Sequence, residues 1–166
     1  MNITFVKRLI LTSIGRKAVM AITGLMLGGF MLFHLGENLI LFKGEVAYNN
    51  WVDLLLSNPL VPLMELGLLA VFLAHIFSGI WVRLEDWLNA PGGYEARNWQ
   101  GGRTIGSATM LYTAILLLAY IAYHLLTFRF VDHSIGFYQM VTSAFRDPSF
   151  VAIYVGGSVA LVLHLS

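Results

Sequence analysis

The chain contains no cysteine. That absence excludes disulfides, thiolate metal sites, iron–sulfur ligation by this chain and covalent haem attachment through C-x-x-C-H. Imidazole and carboxylate remain as its strong metal ligands. Charge is scarce too: 11% of the 166 residues are Asp, Glu, Lys or Arg, and the formal net charge is +1. No basic excess and no nucleic-acid motif is present, so no nucleic-acid partner is expected. What fills the chain instead is apolar: 58% of residues are hydrophobic and the mean hydropathy is +0.75. An ordinary soluble domain is about 25% charged, so the composition belongs to the membrane class.

Four long hydrophobic segments run along the chain, at about 18–42, 60–82, 105–128 and 149–166. The second follows the breakers Asn58-Pro59 and Pro62, and the fourth follows Asp147-Pro148. Each is near or above the roughly 20 residues that an α-helix needs to cross about 30 Å of hydrocarbon. Backbone polar groups must be satisfied internally there, so the segments are expected to be helices. The first segment, preceded by Lys7-Arg8 and Arg16-Lys17, is too long for the apolar core of a cleavable signal. The expected fold is all-α: one integral membrane helical bundle over residues 1–166, with four transmembrane helices visible. The fourth segment ends in LVLHLS without an interfacial cap, which predicts either a short helix or a chain that continues.

The loops set orientation. Lys7, Arg8, Arg16 and Lys17 precede the first segment, and Arg83, Arg97 and Arg103 follow the second. The two remaining loops hold only Lys43, Arg129 and Arg146. The positive-inside rule then places the N-terminus and the 83–103 loop in the cytoplasm. Trp51, Trp81, Trp87 and Trp99 fall near segment ends or in loops, where an aromatic belt would stand.

Of five histidines, His133 lies in a polar loop and reads as a solvated residue. His34, His75, His124 and His164 fall one per segment. At 1.5 Å per residue, His34 lies about 25 Å beyond Lys17 and His124 about 8 Å short of Arg129, both in the outer half. His75 lies about 12 Å short of Arg83 and His164 about 21 Å past Phe150, both in the inner half. Two pairs, each drawn from two helices at one depth, are what two bis-histidine haems require. Iron with both axial positions filled by imidazole serves electron transfer rather than substrate binding. Gly24, Gly28, Gly29, Gly156 and Gly157 offer places where backbone can approach a flat ring. The alternative for any one intramembrane histidine is an interhelical hydrogen bond.

The chain resembles the di-haem cytochrome b subunit of succinate:quinone oxidoreductases, the single-subunit, two-haem type also found in quinol:fumarate reductases. The resemblance rests on SIGRKAVMAITGLMLGGFMLFHLGENLILFKG, SNPLVPLMELGLLAVFLAHIFSGIWV, ARNWQGG followed by ATMLYTAILLLAYIAYHL, and DPSFVAIYVGGSVALVLHLS. It implies that His34 and His124 ligate an outer haem b, and His75 and His164 an inner one. It also implies a fifth helix beyond the residues given. A flavoprotein subunit with FAD and an iron–sulfur subunit would dock on the cytoplasmic face of a bacterial inner membrane. Membrane quinone, menaquinone in the two-haem type, would be the lipid-soluble partner. The succinate chemistry itself would lie outside this subunit.

Haem propionates need cationic or hydroxyl partners. Ser13, Arg16, Lys17 and Arg103 are the inner candidates, and Asn38, Lys43 and Arg129 the outer ones, with interfacial snorkelling as the alternative for each. Glu37, on the helical face of His34, and Glu65, at the outer start of the second helix, are candidates to accept protons from quinol. Both also suit an exposed interfacial carboxylate. Two rival functions stand: a di-haem cytochrome of another membrane dehydrogenase, and a haem-free anchor or transporter with histidines as polar glue.

Overall fold

The structure is a computed structural model that describes residues 12–88 and 105–166. All regular elements among these residues are helical. In chain order they are α1 (Ser13–Asn38), a 3₁₀ turn (Leu39–Lys43), α2 (Glu45–Ser57), α3 (Val61–Leu88), α4 (Ile105–His124), a π-helical turn (Leu125–Arg129), α5 (Phe137–Ala144) and α6 (Pro148–Leu165). Four stretches are long and apolar enough to cross a membrane: Ser13–Lys43, Val61–Leu88, Ala108–Arg129 and Pro148–Leu165.

The helix ends follow from local chemistry. Thr12 caps α1 by accepting from the Gly15 N–H at 3.1 Å, and Asp147 caps α6 by accepting from the Ser149 N–H at 2.8 Å, with Pro148 in the first turn. Asn58 Oδ1 accepts from the Leu60 N–H at 3.0 Å, which closes the turn into α3.

Three boundaries correct the sequence expectation. The first helix begins at Ser13 rather than near Ala18, so Arg16 and Lys17 stand inside it. The second spanning helix runs on to Leu88, so Arg83, Glu85 and Asp86 are helical rather than part of a loop. A run of charge ends a hydrophobic segment without ending a helix, because these side chains are good helix formers once clear of the hydrocarbon. Finally, two connections expected as loops contain α2 and α5. Both begin just after a glycine in the left-handed region, Gly44 at φ 95° and Gly136 at φ 85°. Arg97, Trp99 and Arg103 lie outside the described residues, as do Lys7 and Arg8.

The chain divides into two compact units. In the first, α1 packs along α3. The guanidinium of Arg16 hydrogen-bonds Glu85 Oε1 and lies 5.5 Å from the ring centroid of Trp81, one turn before Glu85. In the second, α4 packs along α6. Gly157 allows this approach: a Cβ there would stand 2.5 Å from the Tyr120 ring. Tyr123, Phe128, Phe145, Phe150 and Tyr154 form an aromatic cluster at one end of this pair, with Phe150 and Tyr154 stacked at 4.6 Å. The first turns of α2 join the second unit, where Asn49 Oδ1 accepts from the Tyr138 N–H at 3.0 Å. Gly136 has no side chain to cap α5, and Asn49 supplies that acceptor instead. Outside the spanning helices, the Ser134 hydroxyl and then its N–H hold the Asp132 carboxyl below its ordinary pKa. Within both units most large apolar side chains of the spanning helices point outward, among them Leu25, Leu32, Leu66, Ile115 and Val162. An outward apolar surface is what a lipid-facing helix presents.

Candidate functional site

Among the described residues the buried polar side chains are Thr23, Ser78 and Thr113. Two of these three hold histidines. In the first unit, the Thr23 hydroxyl donates back to the Val19 and Met20 carbonyls, at 2.7 and 3.1 Å. Nδ1 of His75, reaching over from α3, lies 3.2 Å from Thr23 Oγ1 and 3.1 Å from the Met20 carbonyl. A carbonyl can only accept, and the single hydroxyl proton is already directed at carbonyls. Nδ1 of His75 therefore carries the hydrogen, and the lone pair of the neutral ring is on Nε2. Gly24 makes the approach possible, since a Cβ there would stand 3.1 Å from Cε1 of His75.

The second unit repeats the device. The Thr113 hydroxyl donates to the Thr109 and Met110 carbonyls at 3.1 and 3.0 Å, and Nδ1 of His164 lies 3.2 Å from Thr113 Oγ1.

The other two spanning histidines are also held at Nδ1. That of His34 donates to Glu37 Oε1 at 2.7 Å, and its ring stacks on Phe30 at 5.4 Å. Asn38 folds back so that Nδ2 donates to the His34 carbonyl at 2.7 Å, and this amide nitrogen lies 3.4 Å from Nε2. Nδ1 of His124 meets the Tyr154 hydroxyl at 3.1 Å, inside a ring of Tyr120, Phe128 and Tyr154. His133, in the connection before α5, does the opposite. Its Nε2 donates to the Phe128 carbonyl at 2.8 Å while its ring stacks on Phe137.

The sequence reading found the four histidines but missed Thr23 and Thr113. The signal was present as a repeat. Met20-x-x-Thr23-Gly24-x5-Phe30-x-x-Phe33-His34 and Met110-x-x-Thr113-Ala114-x5-Tyr120-x-x-Tyr123-His124 share residue classes at matching spacing. In both, the methionine carbonyl accepts from the threonine, and the aromatic residue one turn before the histidine packs on its ring. Thr and His stand eleven residues apart, about 16 Å along the axis and on one face. Each unit thus carries one histidine at the level of the threonine and one about 16 Å further along.

The remaining candidates are distributed as follows. Glu37 and Asn38 are brought onto His34. Arg16 is engaged with Glu85 and Trp81. Ser13 and Lys17 are exposed in the first turns of α1, Lys43 ends the 3₁₀ turn, Arg129 ends the π turn and Glu65 is exposed in the second turn of α3. Arg103 lies outside the described residues. Of the glycines, Gly24 and Gly157 serve helix packing, whereas a Cβ at Gly28, Gly29 or Gly156 would meet nothing within 4 Å. Gly156 and Gly157 line an apolar groove of about 390 Å³ with Leu116, Tyr120, Tyr123 and Ile153.

Among the described residues no group of three or more His, Asp or Glu side chains is placed to hold a metal ion. The donor set suits a different arrangement, in which separate imidazoles are each held at Nδ1 by a neighbour. That is the usual form of a histidine bound to haem iron. No family model, curated protein or solved structure matches the chain.

Proposed function

We propose that this chain is the membrane-anchor cytochrome b of a succinate:quinone oxidoreductase, passing electrons between an iron–sulfur subunit and membrane quinone. The observation that carries the reading is the shared use of Nδ1 by His34, His75, His124 and His164, against the reverse use by His133. Polar glue would engage either nitrogen. Each spanning histidine is held at Nδ1 by a neighbour, the support that a haem-ligating imidazole with iron on Nε2 would need.

The outer haem would take His34 and His124 and the inner one His75 and His164, the pairing that depth in the sequence suggests. When bound, two b haems supply one-electron carriers at two levels of the bilayer. The protein's part is to keep each imidazole neutral and oriented. Thr23 with the Met20 carbonyl, and Thr113, do this by accepting from Nδ1–H. Glu37 does it with a carboxylate, which makes the His34 ring a stronger electron donor. Glu65 and Glu37 stay candidates to accept quinol protons at the outer side. The positive-inside count supports a cytoplasmic N-terminus; the bacterial inner membrane, and flavoprotein and iron–sulfur partners on that face, are what the resemblance implies. The family assignment and quinone, menaquinone by resemblance, rest on the sequence motifs.

A reduced-minus-oxidised optical spectrum with haem quantification tests this. Two b haems per chain are expected, with His34→Ala and His124→Ala removing one and His75→Ala and His164→Ala the other. A haem-free protein made under haem-replete conditions would overturn the reading. Haem without electron exchange with succinate, in membranes that hold the partner subunits, would reassign the cytochrome to another dehydrogenase.

A further inference from the structure

The two buried threonines are the part of the repeat that the proposed function leaves without a named role. Threonine inside a spanning helix ordinarily satisfies its hydroxyl by donating to a carbonyl one turn back, and Thr127 does so with Tyr123 at 2.8 Å. Thr23 and Thr113 do this as well, but each then receives a histidine from the neighbouring helix. Back-donation directs the hydroxyl proton at the backbone, so the oxygen can act toward the ring only as an acceptor. A hydroxyl that turned freely would accept from Nδ1–H or donate to a bare Nδ1 equally well. Tied to the carbonyls, it selects one tautomer.

We propose that Thr23 and Thr113 are positioning residues that hold Nδ1–H of His75 and His164 and thereby orient each ring as a ligand of the inner haem, to which depth in the sequence assigns both histidines. The inference rests on the cytochrome reading. Three features support it. Thr23 is 8% exposed and Thr113 3%, so water does not compete for either hydroxyl. Both sit at the same place in the repeat, three residues after a methionine and eleven before a histidine. Both contact a histidine of the inner level, and neither hydrogen-bonds one of the outer level. An acceptor at Nδ1–H raises the basicity of the ring and favours ferric iron, so its removal raises the reduction potential.

The test uses the holoprotein with Thr23→Val, Thr113→Val, Thr23→Ser, Thr113→Ser and, as a control, Thr127→Val. Valine keeps the shape and removes the acceptor. Thr23→Ala and Thr113→Ala serve as second variants without branching at Cβ. The readouts are haem content, low-spin ferric g values and a redox titration resolving both haems. Each valine variant is expected to shift the g value and raise the potential of one haem, and that haem should be the same for both. Thr23→Val leaves the Met20 carbonyl on His75, so a shift rather than loss of that haem is expected. Serine restores the wild-type values, and Thr127→Val leaves both haems unchanged. Valine and alanine variants with both signals at wild-type values overturn the proposal, as do shifts in two different haems. A wild-type protein that binds no haem overturns the cytochrome reading itself, a result separable from either of these.

Discussion

Nδ1 of His34 and Oε1 of Glu37, one helical turn apart on α1, stand 2.7 Å from each other. An ionised carboxylate can only accept, so the ring must donate, and a charge-assisted bond of this kind is about twice as strong as a neutral one. The glutamate at the end of this apolar helix is thereby matched to the histidine beside it.

Glu37→Ala should release that ring. Loss of such an outer partner typically weakens metal binding by roughly 10- to 100-fold. On the di-haem proposal, the expected outcome is a protein that loses one haem on dilution and keeps the other. Glu37→Gln retains a neutral acceptor and should lose less. Haem-to-protein ratios after serial dilution of each variant check both statements.

Gly24 and Gly157 are expected to be intolerant of even a methyl group. At Gly24 an added Cβ meets His75 Cε1 at 3.1 Å, and this ring is held by two acceptors, so it cannot retreat without stretching both. At Gly157 the added carbon would overlap the Tyr120 ring. Gly24→Ala should destabilise by about 1–3 kcal/mol, and Gly157→Ala by the upper end of that range or more. Gly67→Ala is the control, because a Cβ there meets nothing within 4 Å. It should be neutral or stabilise by up to about 1 kcal/mol. Thermal unfolding in detergent ranks the three.

The Arg16–Glu85 pair joins α1 to α3 with side chains 13% and 27% exposed. A fully buried pair loses about 3–5 kcal/mol when one partner is removed. Partial exposure screens this pair, so a cost of about 1–2 kcal/mol is expected for Arg16→Met or Glu85→Leu. The double variant should lie closer to wild type than either single change, because no uncompensated charge remains. A double-mutant cycle on unfolding free energies measures the coupling, and additive losses would contradict it.

The spanning helices were legible because length and hydropathy suffice to define them, and the four histidines stood out against an apolar background. Their Nδ1 partners were less visible. Thr23 and Thr113 look like any membrane threonine until the neighbouring helix is in place, and the partner residues lie 52 and 51 positions away. Helices α2 and α5 escaped notice because they begin after left-handed glycines in polar stretches, and α5 takes its cap from Asn49, 89 residues distant. The end of α3 was placed too early because hydropathy records where the hydrocarbon stops, whereas the helix continues through Arg83 and Glu85 to Leu88. Spacing was the overlooked clue: the repeat is written in residue classes rather than identities.

That spacing makes the two stretches into rulers. Eleven residues complete just over three whole turns, so His34 returns close to the azimuth of Thr23, and His124 to that of Thr113. The ten intervening residues read GLMLGGFMLF in one case and AILLLAYIAY in the other. Most of these side chains can be exchanged for others of similar size, but inserting or deleting a single residue would swing the histidine about 100° around the helix. Apart from Gly24, which the His75 ring keeps small, evolutionary drift in these segments is therefore free to rewrite letters and forbidden to change their number.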